Sequence, residues 1–104
     1  MVDGWSVEPL SGSGHRVVVT GEFDLALEEM FVVAVAQLLD DGAPRVQIDL
    51  HGVEFIDPSG VRALLRLRVH HPGRVTVSRA SDAVRRVLDI AGVTTGDVHE
   101  GWIR

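Results

Sequence analysis

The sequence of 104 residues contains no cysteine and no lysine. Without cysteine the chain has no disulfides, thiol nucleophiles or thiolate metal sites, which is compatible with a reducing compartment. Without lysine it has no Schiff-base chemistry and no phosphate-binding loop of the G-x-x-x-x-G-K-[ST] type. Fifteen acidic residues against ten basic ones give a net charge of -5, so counterion release has no obvious source. Nucleic acid is therefore not expected as a partner.

A long hydrophobic run is also missing. The longest apolar stretch, Met30 to Ala36, is about a third of the ~20 residues that a membrane helix needs. The first ten residues include Asp3 and Glu8 and lack the basic start and apolar run of a secretory signal. Apolar residues nevertheless make up 45% of the chain and the mean hydropathy is +0.17, enough to fold. We expect one domain over residues 1–104, cytoplasmic and without membrane contact.

Turn signals and β-branched runs predict the element order ββαβαβα followed by a tail. Ser81 and Asp82 cap the third helix and Gly92 ends it, while the tail from Thr94 to Arg104 can add a last strand near Val98. The predicted strands lie at Trp5–Val7, Arg16–Thr20, Arg45–Leu50 with a continuation to Ile56, and Arg74–Ser78, and the first two helices at Leu25–Leu39 and Pro58–His70.

The loops between these elements predict an α/β fold. The short loop Ser11–Gly14 should pair the first two strands antiparallel, and each later β-α-β step should be a right-handed crossover to a parallel neighbour. We expect a mostly parallel central sheet with an antiparallel N-terminal edge strand and crossover helices packed against it. Sites in such sheets lie at the carboxyl ends of strands, here the loops Gly21–Asp24 and Asp57–Gly60.

The first helix is more apolar than a surface helix requires. Its predicted core face follows a helical repeat and comprises Leu27, Met30, Phe31, Ala34 and Leu38. Val32, Val33, Val35 and Ala36 extend the apolar surface well beyond this stripe. Burial on two sides is the simpler interpretation, and contact of part of the helix with a partner is the alternative.

The segment Asp57-Pro58-Ser59-Gly60 is the densest chemical signal. Pro58 suits the first helical position, which makes Asp57 the predicted N-cap and puts Ser59 in the first turn. Unpaired N–H groups there stabilise negative charge, so a phosphoryl group on Ser59 would be tolerated, and Gly60 would let another protein approach closely. The alternative is that Asp57 and Ser59 only cap the helix.

Three segments resemble the anti-sigma factor antagonists, small bacterial proteins with a STAS domain. They are residues 19–26 (VTGEFDLA), 48–61 (IDLHGVEFIDPSGV) and 87–93 (VLDIAGV), and the likeness covers roughly residues 5–100. The resemblance implies a STAS-like fold and phosphorylation of Ser59 by a partner anti-sigma factor that is itself a Ser kinase. It also implies that Asp24 lies near the phosphorylation site, that Asp57 opens the motif, and that a Ser/Thr phosphatase resets the switch.

Two residues depart from the family pattern. Pro58 stands where Ser or Thr is common, leaving one hydroxyl in the motif. Arg62 stands where a small residue is frequent, and it either pairs with a phosphate on Ser59 or obstructs the partner. Arg62, Arg66 and His70 then form a basic stripe, either a solvated face or a docking edge for an acidic partner.

No enzyme, metal or cofactor is predicted. Ser59 lacks the preceding glycine of G-x-S-x-G, and the five histidines show no H-x-x-x-H or H-E-x-x-H spacing. Gly12-x-Gly14 precedes a strand, whereas a dinucleotide loop opens a helix. The resemblance to the anti-sigma factor antagonists implies a partner-switching protein that docks on an anti-sigma factor to free a sigma factor. The alternative is an unphosphorylated STAS scaffold in a larger signalling or transporter-associated complex.

Overall fold

A computed structural model describes residues 4–23 and 25–92 of the chain. The observed elements follow the predicted order. They are β1 (Gly4–Pro9), a 3-10 turn (Ser11–Ser13), β2 (His15–Phe23), α1 (Leu25–Asp40), β3 (Val46–Ile56), α2 (Pro58–His70), β4 (Val75–Ala80) and α3 (Asp82–Ile90). The predicted tail strand near Val98 and the predicted cap at Asp24 lie outside the described residues.

The four strands form one mixed sheet in the order β1-β2-β3-β4. β1 pairs antiparallel with β2, whereas β2 with β3 and β3 with β4 pair in parallel. This confirms the predicted sheet with its antiparallel N-terminal edge. α1 and α2 contact each other and bury side chains in one core cluster, so they lie on the same face, as right-handed crossovers in one direction require.

The second strand extends well past its predicted end. β2 continues through Gly21 to Phe23, where the sequence indicated a turn. Gly21 has a φ of 86°, and the pairing with β3 shifts register between Gly21 and Glu22. The positive φ is therefore absorbed as an irregularity in a continuing parallel ladder, because β3 extends beside it as far as Ile56.

The core lies between the sheet and the helices. Its largest fully buried side chains come from α1, α2, α3 and the strands and belong to one cluster, which includes Phe31, Ile48, Leu50, Leu64 and Leu88. Alternate residues of β3 turn to the opposite face, where Gln47 and Asp49 are buried polar side chains. The sheet thus has an apolar face under the helices and a polar face behind it.

The predicted core face of α1 is wrong in part. Phe31 is buried as expected, but Val35 and Leu39 complete the buried stripe, while Ala34 and Leu38 are only partly buried. Met30 is 64% exposed. A helix that is apolar nearly all round gives little signal for its rotation, so contacts with the sheet and α2 decide which side is buried.

The exposure of α1 also corrects the preferred interpretation of its excess apolar residues. Val33 is 67% exposed beside Met30, so burial does not account for the whole surface of the helix. The side chain of Leu27 lies outside the described part. Among the described helices, none is long and apolar enough to span a membrane.

Candidate functional site

The carboxyl end of β3 leads directly into the first turn of α2. Asp57 takes the extended conformation of an N-cap, with φ -95° and ψ 174°, and Pro58 follows inside the helix start. This arrangement confirms the predicted capping role of Asp57. Proline is suited to that position because the first helical N–H has no partner within the helix. The local sequence thereby places Ser59 in the first turn.

One carboxylate oxygen of Asp57 organises the loop. The Ser59 hydroxyl donates to Asp57 Oδ1 at 2.6 Å, and the Gly60 backbone N–H donates to the same oxygen at 2.9 Å. The second bond satisfies one of the free N–H groups at the helix start. The first orients the Ser59 side chain and engages its proton.

The surroundings of Asp57 favour its charged form. The hydrogen bond from the Ser59 side chain is the main cause that lowers the pKa of Asp57, followed by the bond from the Gly60 N–H. Burial opposes the shift, and the charge of Arg62 adds a smaller lowering effect. The loop therefore holds a carboxylate, and not a carboxylic acid, beside the Ser59 hydroxyl.

The accessibility of the loop differs from residue to residue. Pro58 is exposed, Asp57 and Ser59 are half-buried, and Gly60 is buried. Ser59 is thus within reach of another protein, which a phosphorylation site requires. Gly60 offers little surface of its own, and its predicted role in partner binding stays a prediction, as do those of Asp57, Pro58 and Ser59.

The predicted basic stripe lies along α2. Arg62, Arg66 and His70 are all exposed and begin one turn beyond Ser59. Of these, Arg62 is near enough to Asp57 for its charge to lower the pKa of that carboxyl. The stripe is solvated in the isolated chain and is accessible to an acidic partner.

An exposed aromatic side chain that the sequence pattern did not indicate lies next to the loop. Phe55 is 55% exposed near the end of β3, whereas Val53 and Ile56 are buried. Strict alternation from Val53 would have put Phe55 in the core. Gly21 pairs with Val53 and Glu22 with Phe55, so Glu54 is an extra residue that reverses the alternation and turns Phe55 outward.

Another carboxylate, that of Asp49, is buried on the polar face of the sheet. Asp49 Oδ2 accepts two bonds from Arg79, at 2.7 Å from Nη2 and 3.2 Å from Nε, and Oδ1 accepts the His51 N–H at 2.9 Å. The charge of Asp49 is therefore fully partnered, which favours a structural role. Within residues 4–23 and 25–92, no three histidine or acidic side chains are grouped as a metal site would need.

Comparison with known proteins agrees with this architecture. The profile of the family described as "Mlab, STAS domain" matches residues 7–100, nearly the whole chain. The chain belongs to the STAS domain family. No curated protein sequence gives a significant match.

Two solved structures share the fold of this STAS domain. The anti-sigma factor antagonist SpoIIAA in its unphosphorylated form is 22% identical, with a TM-score of 0.73, and the match covers 86% of this chain and 81% of that one. A DUF3478 family protein with a SpoIIAA-like fold from Shewanella loihica is 13% identical, with a TM-score of 0.59 and coverage of 90% and 83%. The predicted STAS-like fold and the resemblance to an anti-sigma factor antagonist are confirmed. At these identities the likeness to the two structures concerns the fold alone.

Proposed function

We propose that this STAS domain is an anti-sigma factor antagonist that docks on an anti-sigma factor with Ser kinase activity, frees a sigma factor, and is inactivated by phosphorylation of Ser59. The observation that carries the proposal is the half-buried Ser59 hydroxyl, presented in the first turn of α2 and oriented by Asp57. The proposed domain spans residues 1–104, with its core at about residues 5–100, and the proposed location is the cytoplasm.

The switch acts through charge. Phosphorylation adds about -1.5 to -2 charges at Ser59. If the phosphate meets a partner carboxylate or nucleotide phosphate about 5 Å away at an effective dielectric of about 20, the repulsion is about 3 kcal/mol per pair of unit charges. That energy corresponds to roughly two decades in affinity, enough to release the partner. A Ser/Thr phosphatase would restore the unmodified form.

The proposed docking surface comprises Asp24, the loop from Asp57 to Gly60, and Arg62. We add Phe55, because a large exposed aromatic side chain beside a polar loop is the kind of anchor that dominates protein interfaces. Arg62 has two opposed roles in this proposal. Its influence on Asp57 supports pairing with a nearby phosphate, and its exposed side chain is also where a partner expecting a small residue would be obstructed.

Mass spectrometry after incubation with ATP and the purified anti-sigma factor of the source cell tests the proposal. We expect one phosphate on the natural chain and none on Ser59→Ala, while Ser11→Ala, which changes an exposed serine of the 3-10 turn, should be phosphorylated normally. In binding assays Ser59→Ala should retain affinity and Ser59→Asp should lose it. No added phosphate, or equal affinity of both variants, would contradict the switch.

Phe55 gives a test of the docking surface that does not involve Ser59. Phe55→Ala should weaken binding to the anti-sigma factor by about 2 kcal/mol, in the range of an interface hot spot. Ile90→Ala removes an exposed apolar side chain from α3 and should leave binding unchanged. If both substitutions have the same effect in calorimetric titrations, Phe55 is not part of the interface.

A scaffold role is the second candidate, and the exposure of α1 favours it. Met30 and Val33 present an apolar surface that a free-standing switch does not need. In this alternative the chain holds a larger signalling or transporter-associated complex and Ser59 is never modified. The phosphate measurement distinguishes the two, because the scaffold predicts no phosphorylation by the kinase.

A further inference from the structure

The exposed side of α1 and Trp5 of the edge strand β1 border a wide, open groove of about 560 Å³. We call it the Trp5 groove. It is lined by Trp5, Glu29, Met30, Val33, Ala34 and Gln37. None of these residues belongs to the loop that carries Ser59.

The middle of the Trp5 groove is apolar. Met30 and Val33 are about two-thirds exposed, and Trp5 packs partly against the core while forming the opposite wall. The buried stripe of α1, which includes Phe31 and Val35, lies on a different side of the helix. Met30 and Val33 therefore add apolar surface to the groove that the core does not use.

Acidic residues lie at both ends of the helical segment that lines the Trp5 groove. Glu29 lines one end, and at the other end Gln37 donates a hydrogen bond to Asp41 at 3.3 Å. Asp41 directly follows the last residue of α1, so it lies twelve positions from Glu29, a distance of about 18 Å at the helical rise. The sequence from residue 24 to 41 contains five acidic residues and no basic one: Asp24, Glu28, Glu29, Asp40 and Asp41.

This charge distribution selects among possible occupants. A second copy packed against the groove with α1 antiparallel to α1 would place Glu29 opposite Asp41 and bring acids together at both ends. The net charge of -5 adds to this repulsion. Charge repulsion also disfavours an anionic lipid surface. A cationic partner, in contrast, would be attracted by the acidic residues at both ends of the helical segment.

We propose that the Trp5 groove is a second protein-docking surface, which receives an amphipathic helix from another protein. The helix carries an apolar stripe that covers Met30 and Val33, and arginine or lysine residues that pair with Glu29 and Asp41. Apolar burial supplies affinity and the acidic ends select the partner by charge. This inference does not depend on the proposed switch at Ser59.

Trp5 provides the readout. Trp102→Phe leaves Trp5 as the only tryptophan, so its fluorescence reports the groove directly. The probes are two synthetic helical peptides of about 18 residues with the same leucine stripe, one with an arginine polar face and one with a glutamate polar face. We expect the arginine peptide to shift Trp5 emission to shorter wavelength saturably, with affinity that falls as salt is raised, and the glutamate peptide to bind at least about tenfold more weakly.

Neutral substitutions separate groove binding from general attraction to an acidic protein. The double variant Met30→Ser, Val33→Ser should bind the arginine peptide about tenfold or more weakly than the natural chain, because it removes the apolar contacts. Val69→Ser changes an equally exposed valine on α2 and should have no effect. Ser59→Ala and Ser59→Asp should bind the peptide alike, so failure of the switch and failure of this inference are distinguishable.

Several outcomes would overturn the inference. They are equal binding of both peptides, no binding by either, and equal effects of the groove and α2 variants. Light scattering adds a fourth: a dimer of the chain alone that Met30→Ser, Val33→Ser dissociates would assign the groove to a second copy. Binding to phosphatidylglycerol vesicles that the same variant abolishes would assign it to a membrane surface.

Discussion

Replacing Ser59 by aspartate should destabilise the folded chain much more than replacing it by alanine. The Ser59 hydroxyl donates to Asp57 Oδ1 at 2.6 Å, and that oxygen also caps α2 through the Gly60 N–H. Ser59→Ala removes one hydrogen bond to a half-buried carboxylate, which costs about 1 kcal/mol. The cap itself survives, because the Gly60 bond does not involve Ser59.

Ser59→Asp adds repulsion to the same loss. Two carboxylates about 4 Å apart repel by about 1 kcal/mol in bulk water and about 4 kcal/mol at an effective dielectric of 20, so a half-buried pair costs about 2 kcal/mol. The positive N-terminal end of the α2 dipole stabilises the new carboxylate by about 0.5 kcal/mol. The free energy of unfolding should therefore fall by about 2.5 kcal/mol, against about 1 kcal/mol for Ser59→Ala.

Urea denaturation followed by far-UV circular dichroism measures both variants. The matched background is Asp57→Asn, where Ser59→Asp meets no charge and should cost at least about 1.5 kcal/mol less than in the natural chain. High salt should also reduce the difference in the free energy of unfolding between Ser59→Asp and Ser59→Ala, because salt screens the repulsion between the carboxylates. Equal costs for the two variants, or an unchanged aspartate penalty in the Asp57→Asn background, would refute the assigned geometry.

Three further predictions test the carboxylates. Ser59→Ala should raise the pKa of Asp57 towards its ordinary value of about 3.9 in a ¹³C NMR titration, because it removes the main cause of the lowering. The lowered pKa of Asp57 contributes stability above the unfolded pKa, and this contribution is lost as pH falls through the folded pKa. The natural chain should therefore be more stable than the variant at neutral pH, and the difference in the free energy of unfolding should shrink in acid. An unchanged pKa would contradict the hydrogen bond. On the other face of the sheet, Arg79→Ala should lower the free energy of unfolding by about 3 kcal/mol. It leaves the Asp49 carboxylate, which is 3% exposed, without its charged partner. Asp49→Ala should cost about 1–2 kcal/mol, because Arg79 is 63% exposed and stays solvated; denaturation curves in the reverse order would contradict this.

Much of the fold could be predicted from the sequence because local signals agree with the tertiary structure. The pattern that begins at Ser81 and ends at Gly92 is an example: the Ser81 hydroxyl accepts the Val84 N–H, and Gly92 has the positive φ of a helix terminator. Asp57 and Pro58 mark the start of α2 in the same way. Capping and turn interactions involve only a few neighbouring residues, so they can be deduced from the sequence without knowledge of the tertiary contacts.

The failures of prediction concern features set by neighbouring elements. The rotation of α1, which buries Val35 and exposes Met30, depends on the sheet and α2 and has little sequence signal in a helix of nearly uniform hydrophobicity. The outward turn of Phe55 depends on an extra residue at Glu54, which only the pairing with β2 reveals. Both exposed apolar features that the sequence hid are now candidate interaction surfaces.

The capping and switching interpretations of the loop turn out to involve the same atoms. Asp57 can orient Ser59 only while the serine donates a proton, and a phosphoryl ester has no proton to donate at that oxygen. Phosphorylation would thus replace an attraction across 2.6 Å with repulsion between a carboxylate and a phosphate carrying about -1.5 to -2 charges. The start of α2 would have to open or turn the modified side chain outward. Because the bond between Ser59 and Asp57 depends on the hydroxyl proton, modification of Ser59 would change the conformation at the start of α2 as well as its charge.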